Sequence, residues 1–183
     1  MMLCGIDEAG RGCIAGPLVV AGVVLLDDVQ GLADSKILSE KKREALFDII
    51  KENSNFKILF CDNEMVDDKG LSYCLGDCIK TIKEHFSDCA ILMDGNSSFG
   101  VKGISTMVKA DAKIAEVSAA SILAKVSRDR YMYSIAQNFK DYSFTKHKGY
   151  GTALHVREIK EFGYSSIHRK SFRIKSLDKP TLF

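Results

Sequence analysis

The order of apolar runs along this 183-residue chain predicts an α/β fold, a five-stranded mixed sheet flanked by helices. Three observations lead there. The first three strand-like runs, near residues 2–6, 18–26 and 56–61, have a single long helical stretch among them, after Leu38. Two further runs, at 90–93 and 104–108, alternate with helical stretches. From Leu71, apolar residues recur every three or four positions (Cys74, Leu75, Cys78, Ile79, Ile82, Phe86), the stripe of a helix packed on a sheet.

Taken in order, the first strand is short and brings Asp7 and Glu8 to its end, where a glycine-rich turn begins. Gly16-Pro17 introduces the β-branched run 18–26, which Asp27-Asp28 closes, so it reads as a buried central strand. After a polar loop at 33–36, Ser39 offers an N-cap to a helix with Leu46, Phe47, Ile49 and Ile50 as its inward stripe. The fourth strand delivers Asp94 to its end, ahead of a Gly/Ser/Asn loop reaching Gly103. The last strand leads to Asp111, where an alanine-rich helical stretch is expected to start and run, with a joint near Ser127, to about Phe139. A Lys/His/Gly/Tyr loop at 146–151 precedes a helix from about Thr152 to Phe162, stopped by Gly163, and then a basic tail. No repeat, linker or second domain interrupts this pattern, so a single domain over 1–183 is expected.

Composition narrows the class. A hydrophobic content of 46% is that of a globular chain and argues against disorder. No apolar run approaches the roughly 20 residues that span a bilayer, and the acidic pair comes too early for a signal peptide, so a cytoplasmic location is expected. The six cysteines form no CxxC pair and sit among apolar neighbours, as reduced core thiols do. Charge is uneven: residues 1–100 hold ten Lys and Arg against seventeen Asp and Glu, residues 101–183 sixteen against seven. The second half is therefore the candidate polyanion face.

The candidate chemistry lies in four acids. If the first and fourth strands are parallel neighbours, about 4.8 Å apart, Asp7 and Asp94 meet at one sheet edge, and Glu8 and Asp111 converge there. Carboxylates so crowded need a cation, and oxygen ligands without His or Cys favour Mg²⁺ or Mn²⁺. Two such ions about 4 Å apart would activate a water and stabilise a leaving oxygen on a phosphodiester. Each acid also has a plainer reading: a solvated turn for Asp7 and Glu8, a loop cap for Asp94, a helix N-cap for Asp111. Neighbours on a strand point to opposite faces, so Asp7 and Glu8 can share a site only if the strand ends or twists.

Gly5-Ile-Asp-Glu-Ala-Gly-Arg-Gly12, Asp34-Ser-Lys36, Asp94-Gly-Asn96, Ala119-Ala-Ser-Ile-Leu-Ala-Lys125 and Lys146-His-Lys-Gly-Tyr-Gly-Thr152, in this order over nearly the whole chain, resemble the ribonuclease HII family. The resemblance implies a ribonuclease H-like fold with a C-terminal substrate-binding segment from about residue 140. It also implies Mg²⁺- or Mn²⁺-dependent cutting of RNA paired with DNA, and of single ribonucleotides embedded in DNA duplexes, leaving a 3′-hydroxyl and a 5′-phosphate. Asp7, Glu8, Asp94 and Asp111 match the metal-binding acids, with Asp7 bridging two ions. Gly10, Arg11 and Gly12 match the turn that reads the 2′-hydroxyl, and Tyr150 matches the tyrosine that stacks on the adjacent sugar. Lys36 and Lys148 are expected to contact phosphate; Arg169 and Ser171 serve either structure or backbone binding. Two positions depart from the family pattern, lacking proline before Tyr142 and after Gly163, and local loop changes are expected there. Ribonuclease HIII, whose members carry an N-terminal substrate-binding extension, is not the family expected. A monomer is expected, and the final Leu182-Phe183 resembles a sliding-clamp-binding tail without its leading glutamine. The competing readings are a non-catalytic RNA/DNA-hybrid binding protein and another nuclease of the same fold.

Overall fold

Leu3–Ala9 (β1) and Leu18–Leu25 (β2) pair antiparallel at the middle of the sheet, with Asp7 opposite Ala21. The computed structural model describes residues 2–32, 38–174 and 177. Ser54–Cys61 (β3) pairs antiparallel outside β2, while Ala90–Asp94 (β4) runs parallel to β1 and Ser105–Met107 (β5) parallel to β4. The order β3-β2-β1-β4-β5 is the five-stranded mixed sheet expected, with β1 and β4 as neighbours.

Alternation along the strands sorts side chains between two layers. Cys4, Ile6, Leu18 and Val20 face the helix Leu71–His85 (α3), whose Cys74, Leu75, Ile79 and Ile82 fill that layer as the stripe required. Val19, Ala21 and Val23 face Glu40–Glu52 (α1) and Ala115–Ala136 (α4). Gly5 lets α4 come this close: a Cβ there would stand 2.4 Å from the backbone of Glu116 and Val117. The middle of α4 is buried on nearly every side, from Val117 to Ala124, so it carries no one-sided stripe.

Several boundaries differ from those expected. β1 does not end at Asp7 but continues to Ala9, because its pairing with β2 outlasts its pairing with β4. No helix begins at Asp111: Ala110–Ala112 is a 3₁₀ turn, and α4 starts at Ala115 and runs unbroken past Ser127. β5 is shorter than its apolar run, and Ile49 is exposed while Leu46, Phe47 and Ile50 are buried. A short helix capped by Asp62, Asn63–Lys69 (α2), is an addition. Phe144–His147 (α5) and Ala153–Phe162 (α6) follow, the latter capped by the Thr152 hydroxyl and ended by Gly163 at φ 82°. The two loops that lack proline touch, since the Tyr142 hydroxyl donates to the Gly163 carbonyl. All six cysteines are unpaired thiols, and burial pushes Cys4 and Cys78 up to about 12. No helix of the described residues is long and apolar enough to cross a membrane.

Candidate active site

Asp7 belongs to the β1 face that α4 covers, and it is only 5% exposed. On β4, one step beyond the Ile6–Met93 pair, Asp94 falls on the same face and beside it. Its Oδ1 accepts the Ala110 amide at 2.7 Å, which ties down the 3₁₀ turn carrying the buried Asp111. Carboxylate oxygens of Asp7, Asp94 and Asp111 thus lie within 4.8 Å of one another, the one such group of potential metal ligands among the described residues. Burial, and then the neighbouring Glu8 and Asp94 charges, push Asp7 up to about 8, against the pull of the Ser121 hydroxyl. An all-oxygen, partly buried donor set with surplus negative charge fits a hard divalent cation.

Glu8 resolves the face problem differently from the way expected. It takes the opposite strand face from Asp7 and stands outside the cluster, yet it lines the same cleft of about 460 Å³. The β4 pairing has ended before Glu8, which leaves its side of the strand edge to the cleft. Its carboxylate lies 3.6 Å from Arg11, whose guanidinium sits over the Phe99 ring. The turn itself is held from behind. Gly10, at φ 90°, leaves no room for a Cβ, which would be 2.2 Å from Arg128 Nε, while Gly12 has nothing within 4 Å and opens outward.

The ribonuclease HII family model matches residues 4–175. The chain belongs to the ribonuclease HII family. It is 59% identical to ribonuclease HII of Aliarcobacter butzleri over 177 residues, 96% of this chain and 92% of that one. With ribonuclease HII of Sulfurovum sp. it is 55% identical over 181 residues, 99% and 96% of the two chains. A ribonuclease HII solved in complex with PCNA from Archaeoglobus fulgidus superposes with a TM-score of 0.81 at 30% identity, over 96% of each chain. The protein is accordingly a ribonuclease H, an endonuclease of ribonuclease H fold.

Within this ribonuclease HII, Tyr150 lines the cleft, 37% exposed as a residue, with Lys125 and Arg128 against its ring, and its backbone bridges to Cys13. Lys148 does not line the cleft: its ammonium is 3.4 Å from Glu40 and lies over the Tyr133 ring. Lys36, like the Leu182-Phe183 tail, lies outside the described residues. Arg169 is wholly buried and donates to the carbonyls of Gly10, Arg11 and Gly16, while Ser171 bonds Asp67. Both therefore act on the chain's own structure here. Arg43 of α1 and Ser121 and Lys125 of α4 also line the cleft. Lys125 and Ser121 stood within a family-like motif, but nothing in an alanine-rich helix marks which face meets the acids. Arg43 carried no signal. A larger groove, about 790 Å³ between α3 and the 99–102 loop, is lined by none of the three aspartates.

Proposed function

We propose that this ribonuclease H cuts the RNA strand of RNA/DNA hybrids and single ribonucleotides embedded in duplex DNA, leaving a 3′-hydroxyl and a 5′-phosphate. The observation that carries the reading is the three-aspartate cluster opening into one cleft with Glu8 and the 10–12 turn. Asp7, Asp94 and Asp111, with Glu8 across the strand edge, would hold Mg²⁺ or Mn²⁺ ions. Bound there, the ions supply an activated water and charge stabilisation for the phosphodiester.

The remaining work belongs to this chain's residues. The open side of Gly12 and the backbone of Gly10 and Arg11 let a ribose 2′-hydroxyl approach, the one group that distinguishes RNA from DNA at a single position. Tyr150 offers its exposed ring to the neighbouring sugar. Lys36 and Lys148 contact phosphate, which positions the duplex without reading it; for Lys148 this requires release from Glu40. Arg11, more than half exposed at its side chain, can neutralise the scissile phosphate without leaving the turn.

Asp7→Asn is the direct test. Cutting should vanish while hybrid binding, with its salt dependence, remains. A variant that still cuts would overturn the metal assignment, and a wild type that binds hybrid without product would favour the binding-only reading.

A further inference from the structure

Three of the chain's four histidines meet beneath the Tyr150 loop, where His147, His155 and His168 are 5%, 0% and 1% exposed. Their partners fix the direction of every hydrogen bond. His168 Nδ1 accepts the Ser165 amide at 2.9 Å and lies 2.7 Å from the Ser165 hydroxyl; since the amide can only donate, the ring proton is on Nε2. That Nε2–H points at His155 Nε2, 2.9 Å away, which must then be an acceptor. His155 Nδ1–H is left to donate to the Tyr150 carbonyl at 3.0 Å. In parallel, His147 Nδ1 accepts the Gly149 amide at 3.2 Å and Nε2–H donates to Glu158 at 2.8 Å. The His147 and His155 rings stack with centroids 3.9 Å apart.

The backbone held this way is the one that supports the cleft. The Gly149 carbonyl accepts both the Ile14 and the Ala15 amides, and Tyr150 bridges Cys13, the residue directly after the 10–12 turn. On the other side Gly16 donates to Ile167 and Arg169 donates to Ile14, so residues 13–16 are clasped between the segments that the imidazoles link.

We propose that His155 and His168, backed by His147 and Glu158, are positioning residues: a one-directional hydrogen-bond relay, complete only with all three imidazoles neutral, that sets Tyr150 against the turn carrying Gly10, Arg11 and Gly12. A second proton on any ring costs one of these bonds. On His147 it would face the Gly149 amide, on His155 the His168 donor, and on His168 the Ser165 amide, leaving only the Ser165 hydroxyl, 2.7 Å away, to accept it. The other titratable groups facing the cluster are Glu158 of α6, Tyr142 and Tyr164; the Arg169 guanidinium is turned away toward the carbonyls of Gly10 and Gly16. Burial and the neighbouring imidazoles accordingly hold His155 and His168 down at about 4.

The catalytic part of this inference rests on the proposed role of Tyr150; the relay itself does not. Long-range ¹H–¹⁵N spectra of the wild type at pH 6 should show Nδ1–H on His155 and Nε2–H on His147 and His168. An ordinary titration midpoint or the opposite tautomer at His155 or His168 would overturn the relay. In parallel, His155→Leu and His155→Asn are compared on a duplex with one ribonucleotide and on a long hybrid. Asn keeps an N–H where Nδ1–H stands. His155→Leu should raise KM on the single-ribonucleotide duplex roughly tenfold or more, with less change on the hybrid, and His155→Asn should recover most of it. Equal behaviour of two folded variants, or an equal loss on both substrates, would defeat the positioning role. If His155→Leu does not fold, a folded His155→Asn with wild-type KM supports the role and one with the full loss defeats it. A wild type that cuts neither substrate would instead defeat the functional reading and leave the tautomers standing.

Discussion

Asp7 is held against its own charge, with its carboxyl at about 8 instead of its ordinary 3.8 because burial and two neighbouring carboxylates disfavour ionisation. The folded, metal-free protein therefore loses stability as pH rises from about 4 to about 8, and a cation reverses that loss. Asp7→Asn should raise the metal-free melting temperature by a few degrees at pH 8, each kcal/mol being worth about 2–4 °C in a chain of this size, and the gain should shrink toward pH 4. Melting the two proteins with and without EDTA checks this; an unstabilised variant would show that the charge is already compensated. Tyr150→Ala should lose cutting at a single ribonucleotide more than affinity for duplex, and kinetics on the two substrates would expose an unchanged ratio. At this scale Asp7 and Asp94 were legible because the register of β1 and β4 brings them together, whereas Asp111, expected at a strand-to-helix junction, is placed by a 3₁₀ turn tied to Asp94 Oδ1. The placement of Glu8 was not legible, since it depends on β4 stopping one step before Glu8, which no feature of residues 5–12 announces.

At the scale of elements, α4 acts as the site's floor: its Ser121 and Lys125 line the cleft, and its Arg128 reaches the carbonyls of Pro17, Ala15 and Lys148. Its depth is set by Gly5. Gly5→Ala drives a methyl into the backbone of Glu116 and Val117 and should cost about 1–3 kcal/mol, with loss of cutting because Ser121 moves from Asp7. Thermal unfolding and activity should fall together; a neutral variant would mean the helix can shift freely. The C-terminal elements add a pH dependence of their own. His155 and His168 are lowered from 6.5 to about 4, so the stability their neutral forms provide is complete above about pH 6.5 and lost as pH falls toward 4. Denaturant titrations at pH 7, 5.5 and 4.5 should follow that slope, and His168→Gln should flatten it. The one-sided stripe of α3 made that helix readable, whereas the all-round burial of α4 left only composition, and the 3₁₀ turn before it was hidden by an alanine-rich run that looks helical throughout.

For the molecule as a whole, the mixed sheet was legible because strands 18–26 and 90–93 are apolar runs bounded by turn chemistry, and its order follows once β1 and β4 are neighbours. The packing of the last forty residues was not, since it rests on buried polar groups. His147, His155, His168, Arg128 and Arg169 lie in the half of the chain expected to face a polyanion, yet they are buried and spend their donors mainly on the chain's own carbonyls and on one another. Part of the positive charge of the second half is thus structural, and Arg11, Arg43, Lys125 and Lys148 are cations at or near the cleft among the described residues. The central claim is that this cleft recognises one ribose and cuts beside it with the help of divalent cations. The most direct measurement offers the protein a DNA duplex containing a single ribonucleotide, and its all-DNA counterpart, with Mg²⁺, with Mn²⁺ and with EDTA. The account predicts cutting of the first duplex alone, only with metal, into 3′-hydroxyl and 5′-phosphate ends; equal cutting of the all-DNA duplex, or cutting in EDTA, would contradict it.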